Sequence, residues 1–327
     1  MLAIRLVRLV SILAAFLAAF LIAGSATAQY PDRPVRLVVP YPPGGLVDIM
    51  ARTIQEPLST KLGQPVIVEN RAGAAGAIGS RLVAQSPPDG YSVIFSNNGP
   101  GALVPLVQPD AGYDPIADFA PISLVALSPL VLVVHSSVPA TNLPEFIDYA
   151  RNHPQGIEFA SSGVGSLGHL ATELFGQKAG IKLHHVPYKG SAPAVMAVLN
   201  GEVKVYLSTS NDALETGIKT GKVRLLGVST AAPSSLVPGA QPIARYLPGF
   251  DVTAWFGLLA ARGTPPAIVE RLSAAVREVL EKADIGKRFE SYGCAAAASS
   301  PQDLGAMIRQ EVPKWRATIE ASSIRVQ

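Results

Sequence analysis

Cysteine occurs once in the 327 residues, at Cys294. No internal disulfide can form, and a structural zinc site, which draws on several Cys or His ligands, is not available. Charge is scarce at 16% of residues, and 27 Lys+Arg stand against 24 Asp+Glu with no basic run. Phosphate binding needs a clustered basic footprint, so no nucleic-acid partner is expected. Glycine (29) and proline (28) are frequent but aperiodic, which excludes a collagen-like chain. No repeat of fixed period occurs. Beyond the N-terminus no second run of ~18 apolar residues exists. What the chain does have is 48% hydrophobic residues and a mean hydropathy of +0.30, which excludes a disordered tail protein. At ~100–200 residues per domain, there is room for two domains with cores of their own.

The N-terminus has the layout of a secretory leader. Arg5 and Arg8 form a basic n-region, residues 9–23 are apolar apart from Ser11, and Ala26-Thr27-Ala28 is a small-x-small cleavage site. Residues 1–28 are read as a cleaved signal peptide. The mature chain begins near Gln29 and keeps 25 basic residues against 24 acidic, because only Arg5 and Arg8 are lost. A nearly neutral protein exported to the periplasm is expected.

The mature sequence alternates strand and helix patterns. Val35 to Val39 is a nearly continuous apolar strand, residues 46–62 have helical spacing with an expected break at Pro57, and strands at 66–68 and 91–95 flank a Gly/Ala-rich helix. A second βα series runs from 157 to 229, and the C-terminal part is helical, with Ser300 as N-cap before Pro301. Alternation of this kind implies a parallel sheet covered on both faces. The apolar stretch 121–134, interrupted at Ser128-Pro129, is read as a crossing between two units, and 253–260 as the crossing back. The expected organisation is 29–125 plus 230–327 as a first lobe and 126–229 as a second. Ligand sites in such folds lie outside the carboxyl ends of the strands.

Three strand-to-helix loops are rich in small residues: Tyr41-Pro42-Pro43-Gly44-Gly45-Leu46-Val47-Asp48, Ser96-Asn97-Asn98-Gly99-Pro100-Gly101, and Ser161-Ser162-Gly163-Val164-Gly165-Ser166-Leu167-Gly168-His169. Glycines admit close approach of a ligand to the backbone, and N–H groups at a helix N-terminus attract carboxylates. Hydroxyls and amides of Ser96, Asn97, Ser161, Ser162 and Ser166 add neutral donors. Each loop also reads as an ordinary turn; three at the same end of successive strands favour a binding role. Gly163, Gly165 and Gly168 spell G-x-G-x-x-G, but the acidic ribose partner is absent. Lys189 near that place could meet a 2′-phosphate; export argues against this, because the chain crosses unfolded and would have to find its cofactor outside the cell, so no nucleotide cofactor is expected. A nucleophile elbow fails because Val164 stands where the first glycine belongs. His184 and His185 are adjacent on a strand and point to opposite faces, so they do not share a metal. No catalytic residue, metal or other cofactor is assigned. Asp48 is open to two readings, a ligand acceptor or an acidic first-turn residue favoured by the helix dipole; Lys189 either steers anions or is solvated.

At these loops the sequence resembles the extracytoplasmic solute receptors of tripartite tricarboxylate transporters, the Bug family. The similarity runs through Tyr30-Pro31-Asp32-Arg33-Pro34-Val35, Pro42-Pro43-Gly44-Gly45 with Asp48, Val68-Glu69-Asn70-Arg71-Ala72-Gly73, Pro87-Pro88-Asp89-Gly90-Tyr91, Gly165-Ser166 with His169-Leu170-Ala171, His185-Val186-Pro187-Tyr188-Lys189-Gly190 and Trp255-Phe256-Gly257. It implies an α/β type II periplasmic binding protein, with two doubly wound lobes and a ligand cleft between them. It also implies a small carboxylated ligand held by backbone amides, hydroxyls and water, permease subunits as partners, and no required metal. The first-lobe loop corresponds to Tyr41, Pro43, Gly44, Gly45 and Asp48, the second to Ser161 through Ser166 with His169 behind; Ser96, Asn97, Ser208 and Asp212 are further carry-overs. Tyr41 and Leu46 depart from the family's usual residues, which leaves the ligand's identity open. The expectation is an exported, monomeric capture receptor; an exported α/β enzyme or a sensor for a membrane signalling protein are the alternatives.

Overall fold

The computed structural model describes residues 30–322, so the expected signal peptide lies outside the described residues. A first series comprises β1 (Val35–Val39), α1 (Leu46–Leu62), β2 (Val66–Asn70), α2 (Ala77–Ala84), β3 (Ser92–Asn97) and α3 (Val104–Val107). The strand β4 (Phe119–His135), 17 residues long, follows. A second series comprises α4 (Leu143–Arg151), β5 (Ile157–Ser161), α5 (Leu167–Ala179), β6 (Leu183–Pro187), α6 (Ser191–Leu199), β7 (Val205–Thr209), α7 (Asp212–Lys219) and β8 (Val223–Val228). The chain closes with β9 (Thr253–Ala261), α8 (Pro266–Leu280), α9 (Ala283–Ser291), β10 (Ala295–Ala296) and α10 (Pro301–Ser322). Among the described residues no helix is long and apolar enough to cross a membrane.

The strand order is β2-β1-β3-β9-β4-β7-β5-β6, with β8 and β10 also paired to β4. The first part of β4 pairs with β9 as far as Pro129; from Leu130 onward its partners are β7 and β8. The proline thus stands where one set of partners hands over to the next, and the strand continues through it. Both faces of the second half are buried: Leu130, Leu132 and Val134 belong to the main core, and Val131 and Val133 to a smaller cluster with Ala194, Val198 and Tyr206. Burial on both sides explains an apolar run that does not alternate.

Strand polarity places the loops. β1 and β3 run antiparallel to β9, directly or through each other, and β9 runs antiparallel to β4, so β1 and β3 point along β4 toward its second half. β7 is antiparallel to β4, and β5 and β6 are parallel to β7, so all three point back toward the first half. The carboxyl ends of the two sets therefore face each other across the handover at Pro129 and Leu130. The return crossing is tied there by one side chain. Ser229, fully buried, accepts from the Leu130 amide at 2.8 Å and donates to the Val252 carbonyl at 2.5 Å, while its own amide and carbonyl engage Leu130 and Val252.

Two local expectations differ from the structure. α1 is continuous through Pro57, because Met50, Ala51 and Ile54 before it and Leu58 and Leu62 after it form one buried face whose packing outweighs one missing N–H. The stretch after Asn97, expected as a loop, coils into a wide helical turn (Gly99–Leu103) that runs into α3.

Ser229→Ala leaves the buried Leu130 N–H without its acceptor. It is expected to destabilise the protein by about 1–3 kcal/mol in urea unfolding at neutral pH; an unchanged midpoint would show that the crossing does not depend on this hydroxyl.

Candidate functional site

On the first side, α1 begins at Gly45, whose extended backbone (φ −77°, ψ 164°) supplies no side-chain cap, so the amides of Leu46 and Val47 open the helix uncapped. Pro43, Gly44 and Gly45 are exposed around this end. Asp48 is 2% exposed and belongs to the loop itself. Its carboxylate accepts from the Gly44 amide at 2.9 Å, from Arg52 Nε at 3.0 and 3.1 Å, and from Asn70 Nδ2 at 2.8 Å. Burial pulls its pKa upward, but the Arg52, Gly44 and Asn70 hydrogen bonds and the Arg52 charge outweigh that pull and hold it below the ordinary 3.8. Asn70 Nδ2 also donates to the Tyr41 carbonyl at 3.1 Å. Both oxygens of Asp48 are thus engaged within the protein, by Gly44 of loop 41–48, by Arg52 and by Asn70.

The β3 loop joins this one through Tyr41, whose hydroxyl donates to Asn97 Oδ1 at 3.0 Å; the same oxygen accepts from the Gly99 amide at 3.1 Å. Burial pushes the Tyr41 hydroxyl up to about 12 against the opposing Asn97 hydrogen bond. Ser96 is buried beneath the loop, where a Cβ on Gly101 would come within 3.1 Å of its Oγ. Asn98, which the sequence reading did not single out, is also buried. It donates to Glu311 on α10 at 2.9 and 3.1 Å and accepts from the Trp255 amide at 2.9 Å; Trp255 Nε1 donates to Glu311 at 2.7 Å. This network roots the loop in β9 and the C-terminal helix.

On the second side, Ser161 is fully buried at the end of β5. Its Oγ accepts from the Gly163 amide at 3.1 Å and lies 2.6 Å from His185 Nε2. Ser166 caps α5 by accepting from the His169 amide at 3.3 Å. The Gly165 amide donates to His169 Nδ1 at 3.1 Å, so it does not face outward as expected for a ligand donor. Ser162 and Ser166 are half-buried and Val164 is exposed on the outer side. The two sides meet: a Cβ on Gly165 would lie 2.5 Å from Val107 Cγ2 of α3. Ser208, near the end of β7, is half-buried, and a Cβ on Gly168 would lie 3.0 Å from its Oγ. Lys189 and Asp212 are exposed, Asp212 in the first turn of α7 behind the Asn211 cap. Cys294 is buried, with its thiol pushed up to about 11, and is inert.

The sequence model of the tripartite tricarboxylate transporter family receptor matches residues 50–324. The chain belongs to this receptor family. Protein BugT of Bordetella pertussis is 33% identical over 99% of this chain and 100% of its own length. A Rhodopseudomonas palustris protein solved with adipate superposes with a TM-score of 0.79 at 35% identity, covering 91% of this chain and 99% of that one. MatC from the same organism, solved with bound malate, gives 0.75 at 31% identity, covering 89% and 100%. The periplasmic binding protein BugD has the same fold, at 0.76 and 30% identity, covering 91% and 100%. This tripartite-transporter receptor is accordingly an α/β solute receptor and not an enzyme.

Asp48→Asn replaces a charged acceptor of three donor groups by a neutral side chain with one acceptor oxygen. A loss of about 1–3 kcal/mol at pH 7 is expected. The folded pKa of Asp48 is depressed, so its contribution is present above pH ~4 and lost as pH falls through the folded value. The difference between wild type and variant in urea unfolding should therefore shrink from pH 7 to pH 3; a constant difference contradicts the carboxylate's role.

Proposed function

We propose that this receptor captures a small carboxylated metabolite in the periplasm, between the strand-end loops of the two sides. It then delivers the ligand to the permease subunits of a tripartite tricarboxylate transporter. The supporting observation is the uncapped N-terminus of α1 among the exposed Pro43, Gly44 and Gly45, at the carboxyl end of β1. Amide donors at a helix end suit a carboxylate, and the family structures with adipate and malate carry ligands of this class. Residues 29–125 plus 230–327 act as one lobe and 126–229 as the other. The crossings through Pro129 and Ser229 serve as the hinge, and the bound state is closed because both lobes then contact the ligand. The receptor works as a monomer, without metal or cofactor. Gly45, Leu46, Ser162 and Ser166 lie nearest the ligand, Tyr41 and Asn97 shape its floor, and Lys189 steers anions from the rim.

A thermal-shift screen of adipate, malate and related acids on the mature protein tests this. A ligand at 100 times its Kd stabilises by about 2.7 kcal/mol. Gly45→Asp separates binding from folding. The position has ordinary φ/ψ and room for a Cβ, 3.7 Å from the Pro42 carbonyl. An Asp there caps α1 and is neutral or slightly stabilising for the ligand-free protein. It also places a carboxylate on the amides proposed for the ligand, so affinity is expected to fall at least about tenfold, the loss of one charge-assisted hydrogen bond. Undiminished binding by Gly45→Asp would remove α1 from the site.

A further inference from the structure

We infer that the stacked pair His169–His185 is the positioning element of the second-side loop, holding Gly163 and Gly165 from behind. The inference rests on the reading of Ser161–Ser166 as a ligand loop and adds what fixes its shape. Gly163 (φ +135°) and Gly165 (φ +75°) both stand in backbone conformations that side-chain-bearing residues rarely adopt. Neither amide is held by a strand or helix partner. The Gly165 N–H donates to His169 Nδ1 at 3.1 Å, and the Gly163 N–H donates to Ser161 Oγ, itself 2.6 Å from His185 Nε2. The rings lie 3.7 Å apart at 13°, and Phe159 continues the stack 5.0 Å from His185.

The hydrogen bond fixes the tautomer of His169. A ring nitrogen accepts only when bare, so the proton of the neutral ring is on Nε2, facing Glu173 Oε1 at 3.8 Å, beyond hydrogen-bond range. The titratable groups against this ring are His185 of β6 and Glu173 of α5. A proton added at Nδ1 turns the acceptor into a donor aimed at the Gly165 N–H. Burial, with the neighbouring His185, pulls His169 down to about 3, and burial takes His185 to about 4. Both rings thus stay neutral from pH 5 to 8 and the loop keeps its form.

Packing alone would be served as well by phenylalanine; positioning requires the lone pair of Nδ1. The experiment compares wild type, His169→Phe and His169→Asn, whose Oδ1 offers an acceptor at the same distance from Cβ as Nδ1. Amide hydrogen exchange at Gly165 is read in the ligand-free proteins, and long-range proton–nitrogen spectra read the His169 tautomer in wild type at pH 7. Expected are a bare Nδ1, exchange at Gly165 about tenfold faster in His169→Phe, and protection largely recovered in His169→Asn. A protonated Nδ1, or Gly165 exchange unchanged in His169→Phe, overturns the inference. The tautomer needs no variant, so it decides even where a variant fails to fold. None of these readouts involves a ligand, so their failure is distinct from a failure to bind carboxylates.

Discussion

The structure depends on one strand that belongs to two sets of partners. β4 pairs with β9 up to Pro129 and with β7 and β8 from Leu130. Because its partners on the two halves have opposite relations to the neighbouring parallel strands, the carboxyl ends of β1 and β3 and those of β5, β6 and β7 converge on the same junction. Loops 41–48, 97–101 and 161–166 come from distant parts of the chain, and this polarity places all three at strand ends directed toward the junction; Tyr41 bonds to Asn97, and Gly165 faces Val107. The handover falls at a proline, which donates no N–H to a ladder. The first hydrogen-bonding position beyond it, Leu130, is taken up by the return crossing at Ser229. Both crossings are thus joined at one point.

Glycine-rich loops invite the view that every amide faces a guest, and the hydrogen bonds correct it. The Gly44, Gly99, Gly163 and Gly165 amides are engaged by Asp48, Asn97, Ser161 and His169. These inward bonds tie each loop to residues of its own side, while the first turn of α1 has no side-chain cap. Preorganisation of this kind lowers the ordering cost of binding. Asp48 is buried as a charged group because Arg52 neutralises it at 3.0 Å and its other partners, the Gly44 amide and Asn70, are donors.

Much of this organisation was legible in the sequence. The alternating βα patterns and the Ser300 cap follow from periodicity and capping chemistry, and Ser300 does accept from the Asp303 amide at 3.1 Å. α4 was readable but went unread: Thr141-Asn142 with Glu145 is a capping box, in which Asn142 accepts from the Glu145 amide at 3.0 Å and Glu145 from the Thr141 amide at 2.7 Å. The roles of Asp48 and Gly165 needed coordinates, because Asn70 and His169 reach them through tertiary contact or helix curvature. The Asn98–Glu311 bond spans 213 residues, and no spacing rule links such positions.

Contacts between the two sides constrain how such a receptor works. α10 follows the first unit in pairing, through β4 and Glu311, yet Gln177 of α5 donates to its Thr318 carbonyl at 3.1 Å and to Ser322 Oγ at 2.5 Å. Val107 lies against Gly165 on the opposite flank. A ligand shifts a conformational equilibrium only by the difference in its affinity for the two states. An amide or hydroxyl that donates to a carboxylate makes a charge-assisted hydrogen bond of about 1.5–3 kcal/mol, so each such bond formed in only one of two states biases the equilibrium by that much. Any relative motion of the two sides has to keep or break the α5–α10 hydrogen bonds and the contact of Val107 with Gly165, so these contacts are weighed against those a ligand adds.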